Sequence, residues 1–158
     1  MNNDNFKKVD LMKKLILILI ILTSLTSTAQ STPQILIDNF FETYKIDAGK
    51  AVKELYETNK WTERVKDDIE KIISTVNGFN ENYMGKYYGK ELITTKKFAE
   101  SFELYSYMIK YDRQPLRFIF KFYKSNNKWV LYSFALDDSL DTEIQEAAKL
   151  YNLELDKK

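Results

Sequence analysis

The sequence of 158 residues contains no histidine and no cysteine. Histidine is the usual acid–base group at neutral pH, the base of most serine and cysteine catalytic triads, and the commonest transition-metal ligand. Zinc sites built from cysteine and histidine are therefore excluded. Without cysteine the chain can form no disulfide bond and carries no thiol for a lipid anchor. The stability of its fold must therefore come from a packed core.

Glycine is also scarce, and the charge is balanced. The four glycines are spread singly, so no Gly-rich loop is present to hold a nucleotide phosphate. The chain has 24 basic and 23 acidic residues; four lysines and two aspartates fall within residues 1–29, which leaves a net charge of −1 beyond them. No basic field is available to attract nucleic acid. We expect no cofactor, no metal and no nucleic-acid partner.

The first 29 residues are typical of an export signal. Lys13 and Lys14 precede an apolar run over residues 15–22, and small residues lead to a cleavage site after Ala29. The apolar run is shorter than the roughly 20 residues of a membrane-spanning helix, although an uncleaved N-terminal anchor is the alternative. We predict that translation starts at Met12, that residues 1–29 are removed, and that residues 30–158 form one periplasmic or secreted domain without a stable membrane anchor.

Three amphipathic helices are predicted at the start of this domain. Thr32 and Pro33 are typical of a helix start, and the apolar residues that follow recur at helical spacing to Tyr44. Asp47 is the expected cap of a second helix. A third is predicted from about Thr62, and it should end at the Asn77-Gly78 pair.

The period then changes from helical to strand-like. Four segments rich in Tyr, Phe, Ile, Val and Thr lie between residues 87 and 135, separated by short polar turns. Alternation is clearest from Leu116 to Tyr123, where every second residue is Leu or Phe. These segments predict an antiparallel four-stranded meander with one covered face. The fold class is therefore α+β, with N-terminal helices packed on a curved sheet and a C-terminal helix beyond it.

The C-terminal helix is expected to begin after Ser139 and to have an apolar stripe. That stripe consists of Leu140, Ile144, Ala147, Ala148 and Tyr151. Acidic residues cluster at its start and could bind calcium, but they lack the alternating order of a calcium loop. We interpret them as capping residues that favour the positive end of the helix dipole.

Tyrosine is the over-used residue, with 11 in the chain. Tyr105, Tyr107 and Tyr111 share one face of the predicted second strand and could line a ligand pocket, although tyrosines also suit an ordinary half-buried strand. Asp112 and Arg113 are interpreted as turn residues. Arg117 lies inside a strand on the face of Tyr123, so we predict that it pairs with an acid or lines a concave surface. The five candidate ligand-binding residues are Tyr105, Tyr107, Tyr111, Arg117 and Tyr123.

The order of helices, then a meander ending in the strand "KWVLYSF" around Trp129, resembles that of small exported bacterial proteins of the NTF2-like superfamily. The resemblance covers about residues 33–136; a cystatin-like sheet is the alternative fold. It implies a curved sheet around a long helix, an open-ended cavity, and homodimers formed through the sheet. The superfamily's enzymes use an Asp or His inside the cavity. This chain has no histidine and no aspartate in the middle of a predicted strand.

Three functions stay open at this point. The first is an exported, non-catalytic domain that binds a small apolar ligand or a partner protein, and no catalytic residue is assigned to it. The second is an enzyme with a tyrosine–carboxylate or lysine–carboxylate site, for which a buried acid of raised pKa beside a tyrosine would be the sign. The third is a structural or inhibitory interaction domain, which a large exposed apolar patch would indicate.

Overall fold

A computed structural model describes residues 31–153, with side chains to residue 149. The predicted signal peptide and the start at Met12 lie outside the described residues. The elements, in chain order, are α1 (Pro33–Tyr44), α2 (Ala48–Glu57), a 3₁₀ helix (Thr62–Val65), α3 (Lys66–Gly78), α4 (Glu81–Met84), β1 (Tyr87–Phe98), β2 (Phe102–Tyr111), β3 (Leu116–Lys124), β4 (Trp129–Asp137) and α5 (Leu140–Leu153). Within residues 31–153, no helix combines the length and the apolar character needed to cross a bilayer.

The first two helices begin where the sequence predicts. The Thr32 hydroxyl accepts a hydrogen bond from the Ile35 N–H at 3.3 Å, and Asp47 accepts one from the Lys50 N–H at 2.8 Å. Each cap satisfies a backbone donor that has no partner inside the helix. Local sequence therefore determines both helix starts.

The predicted start of the third helix at Thr62 is wrong by one turn. Residues Thr62–Val65 form a 3₁₀ helix, and α3 follows from Lys66. The Thr62 hydroxyl donates to the Asn59 carbonyl at 2.8 Å, in the turn that leads into the 3₁₀ helix. Trp61 is 59% exposed in consequence, outside the core stripe to which its spacing assigned it. The short helix α4, capped by Asn80, was not predicted.

The four strands form one antiparallel sheet in the order β1-β2-β3-β4. This confirms the predicted α+β fold, with helices before a curved, unclosed meander and one helix after it. Register shifts interrupt two of the pairings, twice between β1 and β2 and once between β3 and β4 after Lys121. Such bulges bend a strand and increase its twist, which accounts for the curvature.

The sheet has two unlike faces. On β3 the residues Leu116, Phe118, Phe120 and Phe122 are buried on what we call the inner face, toward the helices. Arg117, Ile119, Lys121 and Tyr123 lie on the outer face. The alternation predicted for this strand is confirmed. It also specifies the register of the strand, since a shift by one residue would expose every phenylalanine.

Helix α1 inserts two phenylalanines into the inner face. The Phe40 ring lies 5.1 Å from that of Phe120 and 5.5 Å from that of Phe134, while Phe41 lies 5.6 Å from Tyr107. Burying each such ring contributes about 1.5–3 kcal/mol relative to leaving it exposed. This aromatic cluster is the centre of the core.

Helix α5 begins as predicted but does not close the domain. Residues 141–149 are all exposed, and the apolar side chain of Ile144 is 69% exposed. Leu140 is half-buried, but the rest of the expected stripe, as far as Ala148, is not covered by the described part of the chain. The side chain at the fifth stripe position, Tyr151, lies outside the described residues.

Candidate functional site

A pocket of about 1000 Å³ opens where the helices meet one end of the sheet. The end of α1, the start of α2, the end of α3, α4 and the first residues of β1 surround it, and Tyr111 at the end of β2 completes the wall. Its lining is mixed. Eight residues are aromatic or apolar: Tyr44, Ile46, Ala48, Val76, Phe79, Tyr87, Tyr88 and Tyr111. Six are polar or charged: Lys45, Asp47, Asn77, Asn80, Glu81 and Lys86. We call it the tyrosine pocket.

Three tyrosines meet in this pocket. The hydroxyl oxygens of Tyr44 and Tyr111 are 2.7 Å apart and form a hydrogen bond in which either can be the donor. The Tyr87 ring packs against both, with centroid distances of 5.8 Å to Tyr44 and 5.7 Å to Tyr111. Residues from a helix and from two neighbouring strands are therefore brought to one point.

The environment keeps these phenols neutral. Burial, followed by the neighbouring Tyr111, raises the pKa of Tyr44 far above its ordinary value. Burial, with Tyr111 and Glu42 nearby, raises the pKa of Tyr87 to about 12. Burial also raises the pKa of Tyr111, despite the opposing hydrogen bond from Tyr44. At physiological pH all three hydroxyls keep their protons and can donate hydrogen bonds.

The Tyr44–Tyr111 pair leaves one proton unused. Two hydroxyls that bond to each other employ one O–H donor, and the second phenol keeps its own. Among residues 31–149 neither hydroxyl has a further acceptor within hydrogen-bond distance. A donor at a pocket wall can bind water or the oxygen of a ligand.

The rim of the pocket carries both signs of charge. Lys45 and Lys86 line it together with Asp47 and Glu81, and all four are exposed. Two cations and two anions in solvent provide no strong selection by net charge.

The Asp112-Arg113 pair holds one side of the pocket in place. Asp112 accepts a hydrogen bond from the Lys86 N–H at 2.7 Å, and Arg113 donates its backbone N–H to the Met84 carbonyl at 3.1 Å. The hydrogen bond from Lys86, with a second from Tyr88, holds the pKa of Asp112 below its usual value. The Arg113 guanidinium lies 5.0 Å from the centre of the Tyr83 ring. The pair lies in a turn, as predicted, but Asp112 bonds across the structure and Arg113 packs on a ring.

Gly85 makes this close approach possible. Its φ of +75° is a conformation that L side chains rarely adopt, and a Cβ there would lie 2.4 Å from the Cβ of Asp112. A glycine between α4 and β1 therefore allows the β2–β3 turn to contact the pocket wall.

The five predicted site residues do not form one site. Tyr105, Tyr107 and Tyr111 lie on the inner face of β2, whereas Arg117 and Tyr123 lie on the outer face of β3. Of the five, Tyr111 is the one that lines the tyrosine pocket. Tyr107 is buried under α1, with its hydroxyl 3.5 Å from Gln34. The structure therefore does not bring all five candidates together, because alternate positions on a strand point to opposite faces.

Tyr105 has a carboxylate partner at the other end of the sheet. Its hydroxyl donates to Glu103 at 2.6 Å, and Lys97 binds the second oxygen of Glu103 at 2.8 Å. Burial tends to raise the pKa of Glu103, but hydrogen bonds from Lys97 and Tyr105 outweigh burial and lower it. The acid is therefore charged. A tyrosine does lie beside a buried acid, but without the raised pKa that would indicate a general acid.

Arg117 pairs with two acids, as predicted. Its guanidinium binds Asp137 on β4 at 3.0 Å and Glu143 on α5. These ion pairs raise the pKa of Arg117 further, the hydrogen bond to Glu143 being the largest cause. The acidic cluster at the start of α5 consists of Asp137, Asp138, Asp141 and Glu143, and two of these four are thus paired with Arg117.

Two residues of the tyrosine pocket were missed as site residues. Tyr44 is the last position of the α1 apolar stripe, and Tyr87 opens the first predicted strand. Nothing in their local spacing indicates that they meet Tyr111, which lies 67 residues beyond Tyr44. The sequence signal that could have indicated this site is a tyrosine at the end of α1, at the start of β1 and at the end of β2.

Comparisons with protein-family models, with curated proteins and with solved structures found no match for this chain.

Proposed function

We propose that this domain is a non-catalytic binding domain that takes a small, mainly apolar ligand with an oxygen acceptor into the tyrosine pocket. The observation that supports this proposal most directly is that one hydroxyl proton of the Tyr44–Tyr111 pair has no acceptor among the described residues, at the wall of a pocket of about 1000 Å³. Ligand sites are typically cavities of about 300–1000 Å³ with apolar walls and a few polar groups that fix orientation.

The ligand class follows from the lining. Aromatic rings from Tyr44, Phe79 and Tyr87 offer flat apolar contacts, so a planar or ring-containing body fits best. A neutral phenol donates to a carbonyl, ether or hydroxyl oxygen. Since the rim has two cations and two anions, the ligand needs no particular net charge.

Export and family membership are part of the proposal. The signal-like residues 1–29 support an exported domain, periplasmic or secreted. The order of helices and then a curved meander supports an NTF2-like relationship, whose open-ended cavity corresponds to a pocket at one end of the sheet. The enzyme alternative has less support, since the acid beside Tyr105 has a lowered pKa.

The test removes the two hydroxyl groups of the Tyr44–Tyr111 pair and keeps both aromatic rings. The double variant Tyr44→Phe/Tyr111→Phe removes both hydroxyls, so no buried donor is left without a partner and stability should be nearly unchanged. Two neutral fluorescent probes are titrated into the purified protein: prodan, a naphthyl ketone, and N-phenylnaphthylamine, which has no carbonyl. We expect the double variant to bind prodan about three- to tenfold more weakly and to bind the amine as before, because one hydrogen bond is lost.

Two further variants complete this test. Tyr107→Phe, a buried phenol outside the pocket, is the matched control and should change neither affinity. Ala48→Trp fills the pocket and should abolish binding of both probes. Binding of both probes to the filled variant with unaltered affinity would contradict the proposed site.

A further inference from the structure

Four aromatic rings that line the tyrosine pocket contact one another in series. The Tyr87 ring lies between those of Tyr44 and Tyr111, at the centroid distances given above, and the two pairs are inclined at 60° and 61°. The Phe79 ring continues the series, 6.5 Å from Tyr111 and inclined at 60° to it. Stacked rings would hide their faces from each other. Rings inclined in this way keep faces uncovered and form the walls of a concave surface.

The faces of these rings attract a cation. The face of an aromatic ring carries the negative end of its quadrupole, and a cation within about 6 Å of the ring centre is attracted to it. Neighbouring ring centres in the pocket are 5.8, 5.7 and 6.5 Å apart. A cation on the concave side of one ring is therefore within reach of the next, so several rings act on one charge.

The charges at the rim do not oppose a cation. Lys45 is bound to Glu42 at 2.7 Å, so its charge is already paired. Among residues 31–149, the two rim acids Asp47 and Glu81 have no ion-pair partner, against one such cation, Lys86. These groups are exposed and select only weakly in solvent. Selection of a charged ligand therefore falls to the rings beneath the rim.

The polar groups of the pocket favour a cation without N–H groups. A primary ammonium brings three donors and loses its bonds to water when it enters a pocket. The wall offers it a further donor, the hydroxyl of the Tyr44–Tyr111 pair, while the carboxylates of Asp47 and Glu81 lie exposed at the rim. A quaternary ammonium has no N–H to satisfy, and its methyl groups add apolar contacts with the rings.

We propose that the ligand of the tyrosine pocket carries a quaternary ammonium group, which lies against the four rings in series. This inference rests on the proposed function, since it names the class of ligand that the same pocket takes. An oxygen of the ligand accepts the hydroxyl proton that the phenol pair leaves without an acceptor. A neutral ligand of the same shape should bind more weakly, because it lacks the attraction between cation and ring.

Three compounds that differ in one group test this inference. Each has a phenyl ring, an ether oxygen and a head group. Choline phenyl ether has a trimethylammonium head, its neutral isostere has a tert-butyl head, and phenoxyethylamine has a primary ammonium head. In calorimetric titrations of the purified protein, we expect the quaternary compound to bind at least about tenfold more tightly than either of the others. A pocket without cation-attracting rings would prefer the neutral isostere, because a charge is costly to desolvate.

Two ring variants locate the cation. Tyr87→Leu and Phe79→Leu each remove one ring and keep an apolar side chain, so each should reduce the preference for the cation over its isostere about two- to fivefold. This preference is a ratio of two affinities measured on one sample, so partial unfolding of a variant does not change it. Tyr132→Leu, which removes a ring that is 62% exposed and outside the pocket, is the matched control and should leave the preference unchanged.

Salt separates the effect of the rings from that of the rim. At about 1 M salt the screening length falls to about 3 Å, so the exposed carboxylates of Asp47 and Glu81 lose most of their effect. Direct contact between the ammonium group and the rings is screened much less. We expect the preference for the cation to fall by less than about twofold.

Four results would overturn this inference and leave the proposed function standing, provided that prodan binds. They are binding of the isostere as tight as that of the cation, loss of the preference at high salt, an unchanged preference in both ring variants, and binding of none of the three compounds. If prodan does not bind either, the proposed function fails as well.

Discussion

The two ends of the inner face of β2 use the same residue type in opposite ways. At the end of the strand, Tyr111 bonds to another neutral phenol beside a large pocket. At its start, Tyr105 donates to the charged Glu103, which Lys97 also binds. A tyrosine whose donor is committed to a charged partner contributes to stability. A pair of phenols in which one hydroxyl proton has no acceptor can donate a hydrogen bond to a ligand.

The difference shows that a tyrosine-rich strand is not a site in itself. Tyr105, Tyr107 and Tyr111 repeat every second residue and share a face. Tyr105 bonds to a carboxylate, Tyr107 lies under α1 near the amide of a glutamine, and Tyr111 bonds to a second phenol. Glu103 lies two residues from Tyr105 on the same face of β2, whereas Gln34 and Tyr44 lie far from their partners in the sequence. Tertiary contacts therefore set the roles of Tyr107 and Tyr111.

The largest expected effect comes from removing the ring that separates the two ends. Phe120 is fully buried and lies between Phe40, Tyr107 and Phe134. We expect Phe120→Ala to lower the free energy of unfolding by about 3–5 kcal/mol, because it opens a cavity in the aromatic core. Denaturant unfolding with global fitting measures this change.

The control for this variant is Phe98→Ala, whose side chain is 80% exposed. It should change stability by less than about 0.5 kcal/mol. A Phe120→Ala loss as small as that of the control would contradict the placement of β3 at the core.

An intermediate effect is expected at the Glu103 end. Tyr105→Phe removes the donor to a carboxylate whose side chain is 8% exposed, so it should cost about 1.5–3 kcal/mol of stability. Prodan binding should be unchanged, because Tyr105 lies outside the tyrosine pocket. Tyr107→Phe, which loses a long bond of 3.5 Å to an exposed glutamine, is the matched control. Equal stability of the two variants would contradict the stabilising role that we assign to the Tyr105–Glu103 hydrogen bond.

The smallest expected effect is a pH dependence specific to the Glu103 end. The pKa of Glu103 is lowered in the folded protein, so its ion pair stabilises the fold above the unfolded value of about 4.3. That contribution is lost as the pH falls through the lower folded value. The stability difference between the natural protein and Glu103→Gln should therefore shrink as the pH falls from about 6 to about 3.

The tyrosine pocket provides the contrast for this measurement. Its phenols have raised pKa values, with that of Tyr87 at about 12, so they do not titrate at acid pH. The Tyr44→Phe/Tyr111→Phe variant should follow the natural protein across the same range. A pH-independent difference at Glu103 would mean that Lys97 and Tyr105 do not hold this carboxylate in its charged form.

Much of the fold was predictable because its signals are local. Thr32 and Asp47 cap helices through hydrogen bonds three residues away, and the alternation from Leu116 to Tyr123 determines which face of β3 is buried. The prediction was wrong at Thr62, where a 3₁₀ turn precedes α3 despite the helical spacing of Trp61 and Val65. The exposed stripe of α5 shows that periodicity predicts a helix but not what covers it.

By itself the sequence determined the α+β class, the order of elements, the buried face of β3 and the absence of histidine and cysteine chemistry. It also predicted that Arg117 either pairs with an acid or lines a concave surface, and Asp137 and Glu143 are the acids with which it pairs. Only the tertiary structure decided that Tyr44, Tyr87 and Tyr111 meet at one pocket. The physical reason is that caps and alternation depend on neighbours within a few residues. The free proton of a phenol pair, in contrast, depends on contacts between residues far apart in the chain.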